Sequence, residues 1–225
     1  MPVRVHQTVS VSNKPRTALA VAGLSLGTAL NPLNSSMIAV ALVVLRADFG
    51  LDVAAVTWVV TSFYLASAAG QPVMGRLADR FGPRRMFMLG MALVAVTCAL
   101  APLAPNFALL CVARAVMALG TATAYPSAVV MVGAVAHRAN VDSARPLGRL
   151  QMANTSAAAV GPVVGGLLVS FVGWEALFLV NVPLALAALL IVRQAAPQDE
   201  TRESGSVAEL VREIGRASCR ERVLS

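Results

Sequence analysis

The chain's 225 residues are 57% hydrophobic and only 13% charged, with a mean hydropathy of +0.73. Soluble domains carry ~45–50% apolar and ~25% charged residues, and several stretches here reach the ~20 apolar residues that cross a ~30 Å hydrocarbon core, so a soluble enzyme and a large extramembrane domain are both excluded. Eighteen Lys and Arg against eleven Asp and Glu leave a net charge of +7, but the basic residues lie between apolar stretches, where they orient spans and offer nucleic acid no soluble face.

Six apolar stretches run near 18–44, 54–75, 86–105, 107–133, 151–172 and 176–193. Apolarity on all faces predicts lipid-embedded helices, and no strand-like alternation of useful length appears. The fold class is therefore an all-α polytopic membrane protein, with a tail over 1–17, a six-helix bundle over 18–193 and a polar linker over 194–212. Arg4, Lys14 and Arg16 precede a first stretch too long for a signal-peptide core and without a small-residue cleavage site, which predicts an uncleaved anchor. Arg76, Arg80, Arg84, Arg85, Arg138, Arg145, Arg149, Arg193 and Arg202 fall on the same side as that tail. The other side has only Arg46, beside Asp48 and Asp52. By the positive-inside rule both termini are cytoplasmic, in a multi-pass protein of the plasma (inner) membrane.

In the first stretch, Leu33-Asn34-Ser35-Ser36-Met37 places an amide among apolar residues. Asn34 reads either as a hydrogen bonder between helices or as a substrate contact. Between the second and third stretches lies Gly75-Arg76-Leu77-Ala78-Asp79-Arg80-Phe81-Gly82-Pro83-Arg84-Arg85. It reads as a tight basic loop in which Gly75 and Gly82 permit the turn, and Asp79 pairs with an arginine or caps a helix. This segment resembles the signature loop G-x-L-A-D-R-x-G-R-R/K of the major facilitator superfamily, with Pro83 as the departure. The resemblance implies a cytoplasmic gate in which Asp79 and Arg80 meet a helix of a second half, with Gly75, Gly82, Arg84 and Arg85 around them.

Arg114 sits about seven residues into the fourth stretch, some 10 Å deep at ~1.5 Å per residue. A charge there costs at least ~2.5–3.5 kcal/mol and marks a functional candidate, the alternative being a snorkelling side chain that only supports the fold. Arg114 with Gly120 six residues on is similar to the family's fourth-helix motif, and the resemblance implies a role in proton coupling. In the fifth stretch Gly161 and Gly165 make one small-residue face and Pro162 removes a backbone donor. Plain helix packing accounts for the glycines. Gly161-Pro162-Val163-Val164-Gly165-Gly166 also looks like the G-P-x-x-G-G signature of drug:proton antiporters, which implies a kinked helix that seals against leak. Gly173-Trp174-Glu175 through Pro183 resembles the lead into the sixth span, with Glu175 in place of the usual arginine.

Asn34 stands where many members of the fourteen-span branch have aspartate, and an amide cannot exchange a proton. Gln151 and Asn154 are further cavity candidates, although such side chains also serve as glue between helices. No metal-ligand cluster, catalytic triad or phosphate-binding glycine loop is present in the sequence. The resemblance spans about 18–196. It implies one half, a 3+3 inverted repeat, of a multidrug-type transporter that works by alternating access. No cofactor is implied beyond a proton gradient. The implied partners are a small lipophilic or cationic substrate, the lipid bilayer and a missing C-terminal half. A half-size transporter acting as a homodimer through the span-five small-residue face, and a non-transporting scaffold, are the alternatives. Ile214–Val223 reads I-G-R-A-S-C-R-E-R-V, which resembles one translated frame of a common sequencing adapter. Residues 213–225 are therefore expected to be non-native, and the rest a truncated, inactive half.

Overall fold

The computed structural model describes residues 14–138 and 142–196. The adapter-like segment 213–225 and most of the predicted tail and linker lie outside the described residues. Among those residues every regular element is helical. The helices are α1 (Lys14–Asp48), α2 (Val53–Phe81), α3 (Pro83–Leu100), α4 (Phe107–Ala122), α5 (Ala124–Arg138), α6 (Ala144–Phe171), α7 (Ala176–Leu179) and α8 (Asn181–Ala195). They make six segments long and apolar enough to span a membrane. Spans one, two and five are α1, α2 and α6, and α3 with a following 3₁₀ turn is span three.

Two spans are broken helices. Span four divides into α4 and α5 at Thr123, just before Pro126, which has no N–H to continue the ladder. The Thr123 hydroxyl and backbone N–H both donate to the Gly120 carbonyl, at 2.8 and 3.3 Å, and close the end of α4. Span six divides into α7 and α8 at Val180, with Pro183 in the first turn of α8. Side-chain caps fix other starts: Asp52 Oδ1 accepts from Ala55 N at 2.6 Å, and Asn106 Oδ1 accepts from Leu109 N at 2.9 Å.

The predicted basic loop is shorter than its sequence suggests. Gly75 through Phe81 continue α2, and α3 starts at Pro83, so the turn is the single residue Gly82 at φ 96°. Gly75 makes no turn. A Cβ there would lie 3.8 Å from the Pro126 side chain, so its role is packing against span four.

The packing has the symmetry of a three-plus-three repeat. The dominant contacts join α1 to α6 (spans one and five) and α2 to α4 (spans two and four), with α3 against α8 (spans three and six). Exchanging spans one, two and three for four, five and six maps the first pair onto the second and the third onto itself. Glycines set these approaches. A Cβ on Gly161 would strike the Ser36 hydroxyl, and one on Gly165 would come within 3.0 Å of the Met37 backbone. The small-residue face that a self-pairing dimer would need is thus filled by α1 of the same chain. Gly90 and Gly120 face each other, a Cβ on Gly120 lying 3.0 Å from the Gly90 carbonyl. At the end opposite Gly82, Phe49, Phe107, Trp174 and Phe178 form an aromatic cluster with ring centroids 5.7–6.0 Å apart, tying together the connections after spans one, three and five.

Substituting Gly165→Leu should lower the thermal midpoint of the detergent-solubilised chain by the equivalent of about 1–3 kcal/mol, the cost of overpacking. Gly133→Leu, where a Cβ meets nothing within 4 Å, should leave it unchanged. Gly82→Ala should cost about 1–3 kcal/mol, because its backbone conformation is essentially restricted to glycine.

Candidate functional site

Span four carries a guanidinium into the middle of the bundle. Arg114 is 1% exposed, and no other side chain as large is so completely enclosed among the described residues. It does not snorkel. Its Nη1 donates to Asn34 Oδ1 of α1 at 3.1 Å, its Nε approaches the Val59 carbonyl of α2 at 3.4 Å, and its Cζ sits 4.5 Å from the centroid of the Phe63 ring. The last contact is a cation–π interaction, worth ~2 kcal/mol or more once desolvated. Three spans therefore converge on one charge.

Asn34 is 2% exposed and faces this guanidinium. Its side-chain oxygen joins α1 to α4 as a hydrogen bonder between helices. One turn away, Asn31 Nδ2 donates to Thr121 Oγ1 at 3.0 Å, a second bond between α1 and α4. Asn31, Val59 and Phe63 were not singled out from the sequence. Phe63 follows Val59 by four residues, so the two share a helix face, but nothing in the sequence says that this face meets Arg114.

The other cavity candidates lie elsewhere. Gln151 is exposed on α6 and Asn154 is half-buried. Among the described residues no hydrogen bond joins either of them to the Asn34–Arg114 pair. Exposed polar side chains stand along the two least covered spans. Thr61 and Gln71 are exposed on α2, and Gln151, Thr155 and Ser156 on α6. The most apolar window of α6 buries only 11% of its residues, and that of α2 28%. In lipid, an exposed glutamine without a backbone partner is costly. Such a face suits a water-filled path or a second bundle.

At the end of the bundle that carries the Gly82 turn, Asp79 and Arg85 are exposed and Arg80 is half-buried. Arg84 reaches across the bundle, and its Nη2 donates to the Arg193 carbonyl at 2.6 Å. The one-residue turn is thereby tied to the end of span six. In α6, Gly161 and Gly165 contact α1, Gly166 lies near Val40, and Pro162 is exposed on the opposite face. The predicted gate residues thus lie at one end of the bundle, whereas Gly161 and Arg114 meet α1 at neighbouring residues, Leu33 and Ser36 for the one and Asn34 for the other.

The sequence matches the family described as the Major Facilitator Superfamily over residues 24–223. It is 37% identical over 202 residues to an uncharacterised MFS-type transporter, YwoD, of Bacillus subtilis, covering 90% of this chain and 44% of that protein. It is 34% identical to the tetracenomycin C resistance and export protein of Streptomyces glaucescens, covering 90% of this chain and 37% of the relative. It is also 34% identical to the multidrug efflux pump LfrA of Mycolicibacterium smegmatis, covering 91% and 41%. The chain spans less than half the length of these relatives. Its fold is similar to that of a bacterial homologue of the human lysosomal transporter Spinster, solved inward-facing and unoccupied. The TM-score is 0.64 at 19% identity, over 86% of this chain and 46% of the other.

Asn34→Ala should lower stability in detergent by about 1–3 kcal/mol, because it strands a buried donor. Phe63→Leu should lower it by at least about 0.5–2 kcal/mol through loss of the cation–π contact. Chemical unfolding followed by tryptophan fluorescence reads both.

Proposed function

The chain belongs to the major facilitator superfamily, a family of membrane transporters and not enzymes, and on that premise we propose that it forms the N-terminal bundle of a proton-coupled, multidrug-type exporter. The bundle rocks against a second six-span bundle, with the substrate path between them. The observation that carries this reading is the incompletely covered pair α2 and α6, with polar side chains exposed along apolar spans. Export and resistance relatives at 34% identity support the drug-type substrate.

In this proposal Asp79 and the arginines around Gly82 latch the cytoplasmic side against the second bundle. The Arg84 bond to Arg193 couples that latch to the segment leaving span six. Arg114 tunes coupling from inside the bundle, and the α1–α6 glycine contact keeps the helices tight against leak. The arginine-rich end faces the cytoplasm of the plasma (inner) membrane. The cargo is small and lipophilic. A cationic cargo is disfavoured in this half, because the described spans enclose a cation and no carboxylate.

Two measurements test this. An independent read of the source DNA through the Val211 codon and beyond should continue into further apolar spans. In cells producing that whole reading frame, dye efflux should stop when an uncoupler collapses the proton gradient, and Asp79→Asn should slow it. Residues 1–212 alone, reconstituted in vesicles, should move no dye against a gradient. Concentrative movement by that half alone, or efflux indifferent to the uncoupler, would overturn the proposal.

A further inference from the structure

The donors and acceptors around Arg114 do not balance. Its Nη2 and the Asn34 Nδ2 are both buried and have no hydrogen-bond partner among the described residues. Both are donors, and they belong to two side chains already joined by the Nη1–Oδ1 bond. Buried polar groups in folded proteins are overwhelmingly paired, so two orphan donors on one pair need an explanation. Charge is unbalanced in the same sense. A guanidinium stays protonated in proteins, and an enclosed charge without a counter-charge is strongly disfavoured.

No acid in the described bundle supplies that counter-charge. The described carboxylates are Asp48, Asp52, Asp79, Asp142 and Glu175, all at helix ends or in connections. The groups that do face the guanidinium are an amide oxygen, a backbone carbonyl and the face of a ring. Each is a neutral acceptor, and together they orient the cation without neutralising it. What the site lacks is an acceptor carrying negative charge.

We propose that the Asn34–Arg114 pair is an anion-binding site, receiving a small carboxylate or a small inorganic anion on Arg114 Nη2 and Asn34 Nδ2. A carboxylate suits the two donors because each of its oxygens can accept from one of them. Phe63 and the surrounding apolar side chains keep bulk water away, which strengthens the attraction. The inference deepens the transport reading by naming the charge of what this half binds, and it rests on binding, not on turnover.

The test uses the 225-residue chain in detergent. Its thermal midpoint is measured against rising chloride, acetate or gluconate at constant ionic strength. Chloride or acetate should raise the midpoint saturably, while gluconate, too bulky for an enclosed site, should not. A response to acetate and not chloride identifies a carboxylate ligand, and a response to chloride alone an inorganic counter-ion. Asn34→Asp should abolish the response, because its own carboxylate then serves the guanidinium, and its midpoint in gluconate should match or exceed that of the wild type in saturating anion. An absent response in the wild type, or an undiminished one in Asn34→Asp, would overturn the site. Either result leaves uncoupler-sensitive efflux as a separate question.

Discussion

Inside a bilayer, apolar side chains gain little by leaving lipid tails for one another, so a helical bundle depends on how closely its backbones can approach. Here that constraint is met by glycines at successive crossings. Gly161 and Gly165 admit α1 to α6, Gly90 and Gly120 bring α3 against α4, and Gly27 makes room for the Phe87 ring of α3 beneath α1. Because α1 is held from several sides, its polar residues face inward, and Asn31 and Asn34 reach Thr121 and Arg114 of span four. The site is a product of this packing. Moving α1 outward by the width of one methyl would lengthen both bonds beyond hydrogen-bonding range.

The polar centre in turn constrains the helices that enclose it. An arginine of span four enclosed by spans one and two cannot be accommodated by sliding either of them, since one gives a single contact and the other two of different kinds. Asn34 gives an oriented acceptor, Val59 a carbonyl already used in its own helix, and Phe63 a ring face. The aromatic cluster at one end and the Arg84–Arg193 bond at the other tie the bundle's extremities. Between them the six spans are joined along their length by the pairings of α1 with α6, α2 with α4 and α3 with α8.

The number and order of spans are legible in hydropathy, because lipid selects for apolar length and little else. The ends are less so. Hydropathy stops span two near residue 75, whereas the helix runs to Phe81, and span five begins at Ala144 instead of near 151. In both places charged turns continue the helix beyond the hydrocarbon, where hydropathy no longer reports on backbone structure. That is also why Gly75 reads as a turn residue in the sequence. Arg114 is legible as a costly charge, but its confinement is not. Depth alone permits snorkelling, and only the three-dimensional crossing of α1, α2 and α4 closes that route. Asn34 is legible as an anomaly, while its partner lies 80 residues away with no local signal to connect them.

The same packing sets an order for assembly during synthesis. Span one emerges first, yet the helices that cover it most are α6 and α8, the last to be made. At ~5–20 residues per second, the ~125 residues from Ser36 to Gly161 take roughly 6–25 s to translate. Through that interval α1 must wait with Leu33, Ser36 and Met37 uncovered, although Asn31 and Asn34 meet Thr121 and Arg114 of span four earlier. The aromatic cluster likewise cannot close before Trp174 and Phe178 are made. Helix one is therefore the segment most in need of a temporary escort at the insertion machinery. A nascent chain halted after span four would remain a substrate for membrane quality control.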